Sequence, residues 1–310
     1  MAQSSVSLRI GTRGSPLALV QAREVRDRLA RAHGLDPAAI DIRVIKTTGD
    51  AIQDRPLAEV GGKGLFTKEI EQALLDGAID LAVHSAKDMP TALPAGLVLT
   101  ATLPREDVRD ALISCKARSL DELPKGAVLG TASLRRQAMV MRLRPDLKVV
   151  PLRGNVETRI RKLDEGVADA TLLAFAGLKR LGLSAHASAV LDVDVFLPAV
   201  GQGAIGIEAR ESDAKTRELI AAINDDATLI AIATERAFLA VLDGSCRTPI
   251  AGHARIVDRR LSFRGMILKP DGSEVHETTR MGAPGEGIAL GRDAGQELKG
   301  RASADFFRTE

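Results

Sequence analysis

The 310-residue chain has no tryptophan and no tyrosine, and aromatic residues make up only 2% of it. That removes most of the platforms on which single-stranded nucleic acid stacks. Cysteine is nearly as scarce, with Cys115 and Cys246 too few for a disulfide framework and not at metal-ligand spacing. No pair of histidines has zinc spacing either, so no metal is expected. No apolar run approaches the ~18 residues of a membrane span. The start, Met1-Ala-Gln-Ser-Ser-Val-Ser, lacks the basic-then-apolar pattern of a signal peptide. A cytoplasmic protein without a membrane partner is expected. Large net charge is missing too: +2 is too small to argue for a nucleic-acid surface.

What is present is a soluble composition, 45% hydrophobic and 27% charged, over a length that calls for two or three domains. Arginine greatly outnumbers lysine, a choice that suits forked recognition of carboxylate or phosphate. The arginines fall at particular places. Leu8-Arg-Ile10 reads as a strand running into Gly11-Thr12-Arg13-Gly14-Ser15-Pro16, where Ser15 is a helix N-cap and Pro16 a first helical residue. That helix ends at Gly34. After Pro104 the grammar returns: Val128-Leu129 leads into Gly130-Thr131-Ala132-Ser133 and a helix opening Leu134-Arg135-Arg136. Arg153 and Arg159 flank a third helix start at Asn155, and Arg180 follows a strand over 168–175. Gly166-Val-Ala-Asp169 echoes Gly77-Ala-Ile-Asp80. Two homologous βα lobes result. Helix N-termini attract anions, so arginines at these turns point to a polyanion site between the lobes.

The stretch Asp80-Leu-Ala-Val-His84-Ser85-Ala-Lys87-Asp88-Met-Pro90 puts an imidazole, a hydroxyl, an ammonium and a carboxylate at the end of a buried strand. Ligands of α/β proteins bind outside such strand ends, although a solvated loop would read the same way. His84 and Ser85 are adjacent on a strand and point to opposite faces, and no G-x-S-x-G elbow exists, so a serine hydrolase is excluded. After Thr47-Thr48-Gly49-Asp50, the polar segment up to Val60, closed by Gly61-Gly62-Lys63-Gly64, reads as a lid, and a helix is expected over 65–75. Gly201-Gln-Gly203-Ala-Ile-Gly206 matches G-x-G-x-x-G but enters a strand rather than a helix, so it is not a dinucleotide site.

Helices are expected over 213–223 and 228–242, the second capped by Thr228. Strands over 251–256, 261–268 and 274–279 follow, with a turn at Asp271-Gly272, and a last helix over 291–299. Cys115, at the end of the apolar run from Ala111, reads as a small buried hydrophobe. Cys246, in the loop Asp243-Gly-Ser-Cys246-Arg247-Thr-Pro249, is then the one exposed thiol. The preceding helix end disfavours its thiolate and Arg247 favours it.

Seven ordered motifs resemble those of the porphobilinogen deaminase family. They are Ile10-Gly-Thr-Arg13-Gly-Ser15, Gly61-Gly-Lys63-Gly-Leu-Phe-Thr-Lys68, Ala82-Val-His84-Ser85-Ala-Lys87-Asp88-Met-Pro90, Gly130-Thr-Ala-Ser133-Leu-Arg135-Arg136, Leu152-Arg153-Gly-Asn155-Val-Glu-Thr-Arg159, Gly201-Gln-Gly-Ala-Ile-Gly and Gly244-Ser-Cys246-Arg-Thr-Pro249. The resemblance implies an α/β fold of two periplasmic-binding-protein-like lobes with an interlobe cleft, plus a small α+β C-terminal domain. The expected division is 1–104 with 199–222, then 105–198, then 223–310. It implies a transferase of tetrapyrrole (haem) biosynthesis, monomeric, that joins four porphobilinogen molecules on a dipyrromethane cofactor. Ammonia is lost at each addition, and water releases the product.

By the same resemblance Asp88 is catalytic. Cys246 forms a thioether to the dipyrromethane, and Lys87, Thr131, Ser133, Arg135, Arg136 and Arg159 hold that cofactor. Arg13, Ser15, Arg153, Asn155 and Arg180 contact substrate. The acetate and propionate groups of each pyrrole give those arginines something to bind. Glu59, Ala132 and the Ser245-Cys246-Arg247 run depart from common residues of the family. Two rivals from other classes stand beside this reading: a two-lobe solute-binding module for a polycarboxylate, which needs neither Cys246 nor Asp88, and a nucleic-acid binder.

Overall fold

The computed structural model describes residues 8–51, 64–242, 248–303 and 305–307. The expected lid, with Glu59 and Lys63, and the loop carrying Cys246 lie outside the described residues. In chain order the elements begin β1 (Leu8–Thr12), α1 (Pro16–His33), β2 (Ile40–Val44), α2 (Thr48–Ala51), α3 (Lys68–Leu75), β3 (Leu81–Ser85) and β4 (Leu97–Thr102). Then come β5 (Asp110–Ile113), β6 (Val128–Gly130), α4 (Leu134–Leu143), β7 (Lys148–Val150), α5 (Val156–Asp164), β8 (Ala170–Ala174), α6 (Phe175–Arg180) and β9 (Ala189–Val190). The remainder is β10 (Ile205–Arg210), α7 (Ala214–Ala221), α8 (Asp226–Val241), β11 (Ile250–Val257), β12 (Arg260–Leu268), β13 (Val275–Gly282) and α9 (Gly287–Arg301).

The fold is α/β. One five-stranded sheet has the order β2-β1-β3-β10-β4 and another β7-β6-β8-β5-β9, while β11-β12-β13 form a separate antiparallel sheet. The first two sheets share one plan. Three parallel strands are followed by an antiparallel one, β10 or β5, which the chain supplies soon after it arrives from elsewhere. The chain forms two compact units, one of residues 8–51, 64–105 and 204–229, the other of 106–203 and 230 onward. The second unit holds both the second five-stranded sheet and the three-stranded one. Leu112, Leu129 and Met139 share a core there with Ala251, Met266 and Leu268.

The repeat reaches individual hydrogen bonds. Asp80 takes the backbone N–H of Arg9 on β1 (2.8 Å), and Asp169 takes that of Val128 on β6 (2.7 Å). Ser15 caps α1 by accepting from Ala18 N (3.3 Å), and Ser133 caps α4 by accepting from Arg136 N (3.4 Å). Each residue ties the start of its helix to the strand end before it.

Several expectations need correction. Cys115 is exposed, because β5 stops at Ile113 and the Ser114 hydroxyl bonds the Asp169 carbonyl (2.8 Å), which turns the chain out of the sheet. Asp225, not Thr228, caps α8, accepting from Thr228 N (2.8 Å), while the Thr228 hydroxyl accepts from Arg105 N (3.1 Å). α3 starts at Lys68 after a turn in which Gly64 has φ +77°, so the expected helix loses its first residues. β4, β5 and β9 were not expected as strands. The turn between β11 and β12, Asp258-Arg259, has both residues at positive φ and carries no glycine to announce it.

Candidate functional site

In the first unit, β1 delivers Arg13 and β3 delivers Lys87 and Asp88 through the short turn Ala86–Asp88, closed by Met89 N to Ala86 O (3.3 Å). The Arg13 Nη1 lies 3.7 Å from Asp88 Oδ2, and the Asp88 side chain is about a third exposed (35%). Arg13 is itself fixed. Its Nε donates to both oxygens of Asp50 (3.2 Å each), and its guanidinium carbon sits 4.2 Å from the centre of the Phe66 ring. Burial works to raise the Asp50 pKa, but hydrogen bonds from Arg13 and Thr47 outweigh it and hold the carboxyl below its ordinary value. Asp88 therefore faces a cation already oriented by a second carboxylate.

Ser85 and His84 do face opposite ways. Gln21 Nε2 on α1 donates to Ser85 Oγ (3.0 Å), whereas His84 Nε2 meets Glu208 Oε2 on β10 (3.1 Å). Ser15 is half-buried at the start of α1 and Lys87 half-buried beside Asp88.

In the second unit Thr131, Ser133 and Asn155 lie at helix-opening turns, and Arg180 lies at the end of α6. Thr131 Oγ1 accepts from Ser133 N (3.1 Å), and Asn155 Oδ1 caps α5 by accepting from Thr158 N (2.8 Å). Arg159 Nε donates to Gly154 O (2.9 Å), and Arg180 Nη2 donates to Gly203 O (3.0 Å). Arg135 and Arg136 lie deeper than the motif suggests, at 4% and 5% exposure. Both reach Asp110, which is fully buried. Arg135 Nη2 donates to its Oδ2 (2.7 Å), and Arg136 Nε to its Oδ1 (2.9 Å). Burial alone would raise the Asp110 pKa, but the two guanidinium charges hold it at about 2. Burial likewise pulls the Arg135 pKa down.

Two guanidiniums against one carboxylate leave a buried excess of one positive charge, which calls for an anion. The hydrogen bonds agree: Arg135 Nε and Arg153 Nη1 are buried with no partner among the described residues. The capping residues add donors of another kind. Thr131, Ser133 and Ser15 each use the hydroxyl oxygen as acceptor, so the hydroxyl hydrogen is left to give. Asn155 caps with Oδ1 and keeps its NH₂. This donor set fits a ligand rich in carboxylates.

Sequence reasoning missed Asp50, Asp110, Glu208 and Glu71. Asp110 had one legible signal, a carboxylate opening the apolar run Ala111-Leu-Ile. In the sequence Asp50 reads only as the end of the stretch Thr47-Thr48-Gly49-Asp50 ahead of the expected lid. Among the described residues no group of His, Cys, Asp and Glu is arranged to hold a metal ion.

The chain matches the family model "Porphobilinogen deaminase, dipyromethane cofactor binding domain" over residues 8–218 and that family's C-terminal domain over 229–300. A porphobilinogen deaminase of Nitrobacter winogradskyi is 63% identical over 98% of this chain and 96% of its own. One from Paracoccus denitrificans is 59% identical over 97% of this chain and 96% of its own. A chloroplastic one from Oryza sativa is 58% identical over 99% and 87%. Among solved structures, the methionine-binding protein MetQ aligns at 15% identity with a TM-score of 0.45, over 70% of this chain and 89% of its own.

Proposed function

The chain belongs to the porphobilinogen deaminase family, and from that membership we propose that Asp88 is the carboxylate acting on each incoming substrate. The enzyme joins four porphobilinogen molecules head to tail, with loss of ammonia at each addition, and releases hydroxymethylbilane by hydrolysis. Its cofactor is dipyrromethane, which supplies when bound the pyrrole carbon to which the first substrate is joined.

Loss of ammonia from porphobilinogen leaves an electron-poor carbon conjugated with the pyrrole ring, an azafulvene whose positive charge spreads to the ring nitrogen. A carboxylate at that N–H stabilises the charge as it develops. Arg13, locked by Asp50 and stacked on Phe66, keeps the Asp88 side chain oriented and gives the substrate's own carboxylates a cation. Lys87 and Ser15 add donors in the same unit.

Arg135, Arg136, Arg159, Thr131 and Ser133 are assigned to the cofactor's acetate and propionate groups, and Arg153, Asn155 and Arg180 to those of substrate. The observation that carries this assignment is the buried positive excess around Asp110 together with the unpartnered Arg135 Nε and Arg153 Nη1. Cys246 is assigned the thioether on the family motif alone. Its loop lies outside the described residues. The three separate sheets support reading two lobes and a C-terminal domain. No helix among the described residues is long and apolar enough to cross a membrane, which supports a reading without a membrane partner. We read the enzyme as a cytoplasmic monomer.

The test is Asp88→Asn in the cofactor-loaded enzyme. The variant is expected to keep its thermal midpoint and its cofactor mass while turnover falls by at least about 10²-fold. Near-normal turnover would remove Asp88 from this role.

A further inference from the structure

Behind the turn that carries Lys87 and Asp88 lies a buried cluster the reaction does not use. His84 and Glu208 are 5% and 0% exposed, on neighbouring antiparallel strands β3 and β10 in which Gly206 stands opposite His84. The imidazole reaches diagonally to Glu208 Oε2 (3.1 Å), while the bare Gly206 makes room for Leu99 and Met89. Glu71, 5% exposed on α3, comes against the same two strands. Two oxygens in this cluster are buried with no hydrogen-bond partner among the described residues, Glu71 Oε1 and Glu208 Oε1.

The charges of the surrounding elements are already matched elsewhere. On β1, Arg9 is held by Asp80, which lies just ahead of β3. On β10, Arg210 donates to the Leu74 and Ile79 carbonyls and pairs with Asp213. On α3 itself, Glu69 accepts from Thr48 and Lys68 sits beside it, while β4 carries no charged residue. None of these neutralises a second buried carboxylate next to Glu208. Two ionised carboxylates here would leave one charge unpaired and two acceptors unsatisfied, at a cost of several kcal/mol.

We propose that Glu71 is held as a neutral carboxylic acid against the strands that carry the His84–Glu208 pair, and that this buried cluster positions the strand end presenting Lys87 and Asp88. Glu71 is the proton carrier. Burial pushes its pKa up, and the charges of Glu208 and Glu69 add to that against the Thr67 hydroxyl and His84. The group has no contact with substrate, so its role is to position. Its link to catalysis rests on Asp88 being the reacting carboxylate, but its protonation does not.

Infrared spectroscopy of the cofactor-loaded enzyme at neutral pH reads the proton directly. The wild type is expected to show the carbonyl stretch of a buried protonated carboxyl, lost in Glu71→Gln. Because the folded-state pKa is raised, the stabilisation from the Glu71 proton is present at low pH and fades as pH rises through that value. The Glu71→Gln thermal midpoint should therefore gain on the wild type as pH rises above the ordinary carboxylate range. For catalysis, Glu71→Ala should lower kcat roughly 10- to 100-fold at unchanged cofactor mass, and Glu71→Gln should restore it. No protonated-carboxyl band, or midpoints of wild type and Glu71→Gln that run parallel with pH, would overturn the neutral Glu71. A band that is present with an unchanged kcat in Glu71→Ala would overturn the positioning role. Neither outcome bears on whether Asp88→Asn turns over.

Discussion

Ser15, Thr131, Ser133 and Asn155 each close a backbone turn with an oxygen and keep a hydrogen to give. One side chain can thus build a helix start and bind an anion. Asp110 does the reverse, giving up both its oxygens to hold two arginines. Its depressed pKa means that its contribution is fully present above the unfolded value near 3.8 and is lost as pH falls toward about 2. That contribution is about 2 kcal/mol. Asp110→Asn should cost about 3–5 kcal/mol at pH 7, since it leaves two buried guanidiniums unpaired. Denaturant melts against pH would show the wild type losing its advantage over the variant only below about pH 4. An equal loss at every pH down to 2 would mean that the carboxylate charge is not what matters. The arginine positions were legible because they sit at helix-opening turns. Their shared carboxylate was not, because Asp110 is 25 and 26 residues from them and only the sheet brings it there.

At the scale of elements, the helix caps and the alternating β and α stretches could be read because glycine, proline and serine mark them locally. The antiparallel strand β10 was legible after its glycine-rich run, but β5 was the hard case, four residues long and fully buried, with no alternation to show. Cys115 was misread for the same reason: an apolar run does not say where its strand stops. The caps allow structure and binding to be separated. Ser133→Ala should destabilise by about 1 kcal/mol, whereas Ser133→Gly should cost only a few tenths, since glycine is tolerated at that position. Both remove the hydroxyl, so both should weaken retention of the cofactor, measured by its mass after denaturant challenge. Retention that follows stability alone, preserved in the glycine variant, would confine Ser133 to capping.

For the whole molecule, the repeat of two five-stranded sheets was legible in the echo of Gly166-Val-Ala-Asp169 with Gly77-Ala-Ile-Asp80. The pairing of each aspartate with the matching strand of its sheet, β1 or β6, shows what that echo is for. The merging of the second lobe's core with the three-stranded sheet was not legible, because Ala251, Met266 and Leu268 look like any strand interior. Asp88 belongs to one unit, and the arginines around Asp110 belong to the other. The proposed function has both act on a primer fixed to this chain and rich in carboxylates. Intact mass of freshly purified, active enzyme tests that directly. The account predicts a mass above that of the polypeptide by two joined pyrroles, with the excess lost in Cys246→Ser together with turnover. A bare polypeptide mass in protein that turns over, or an excess that survives in Cys246→Ser, would contradict it.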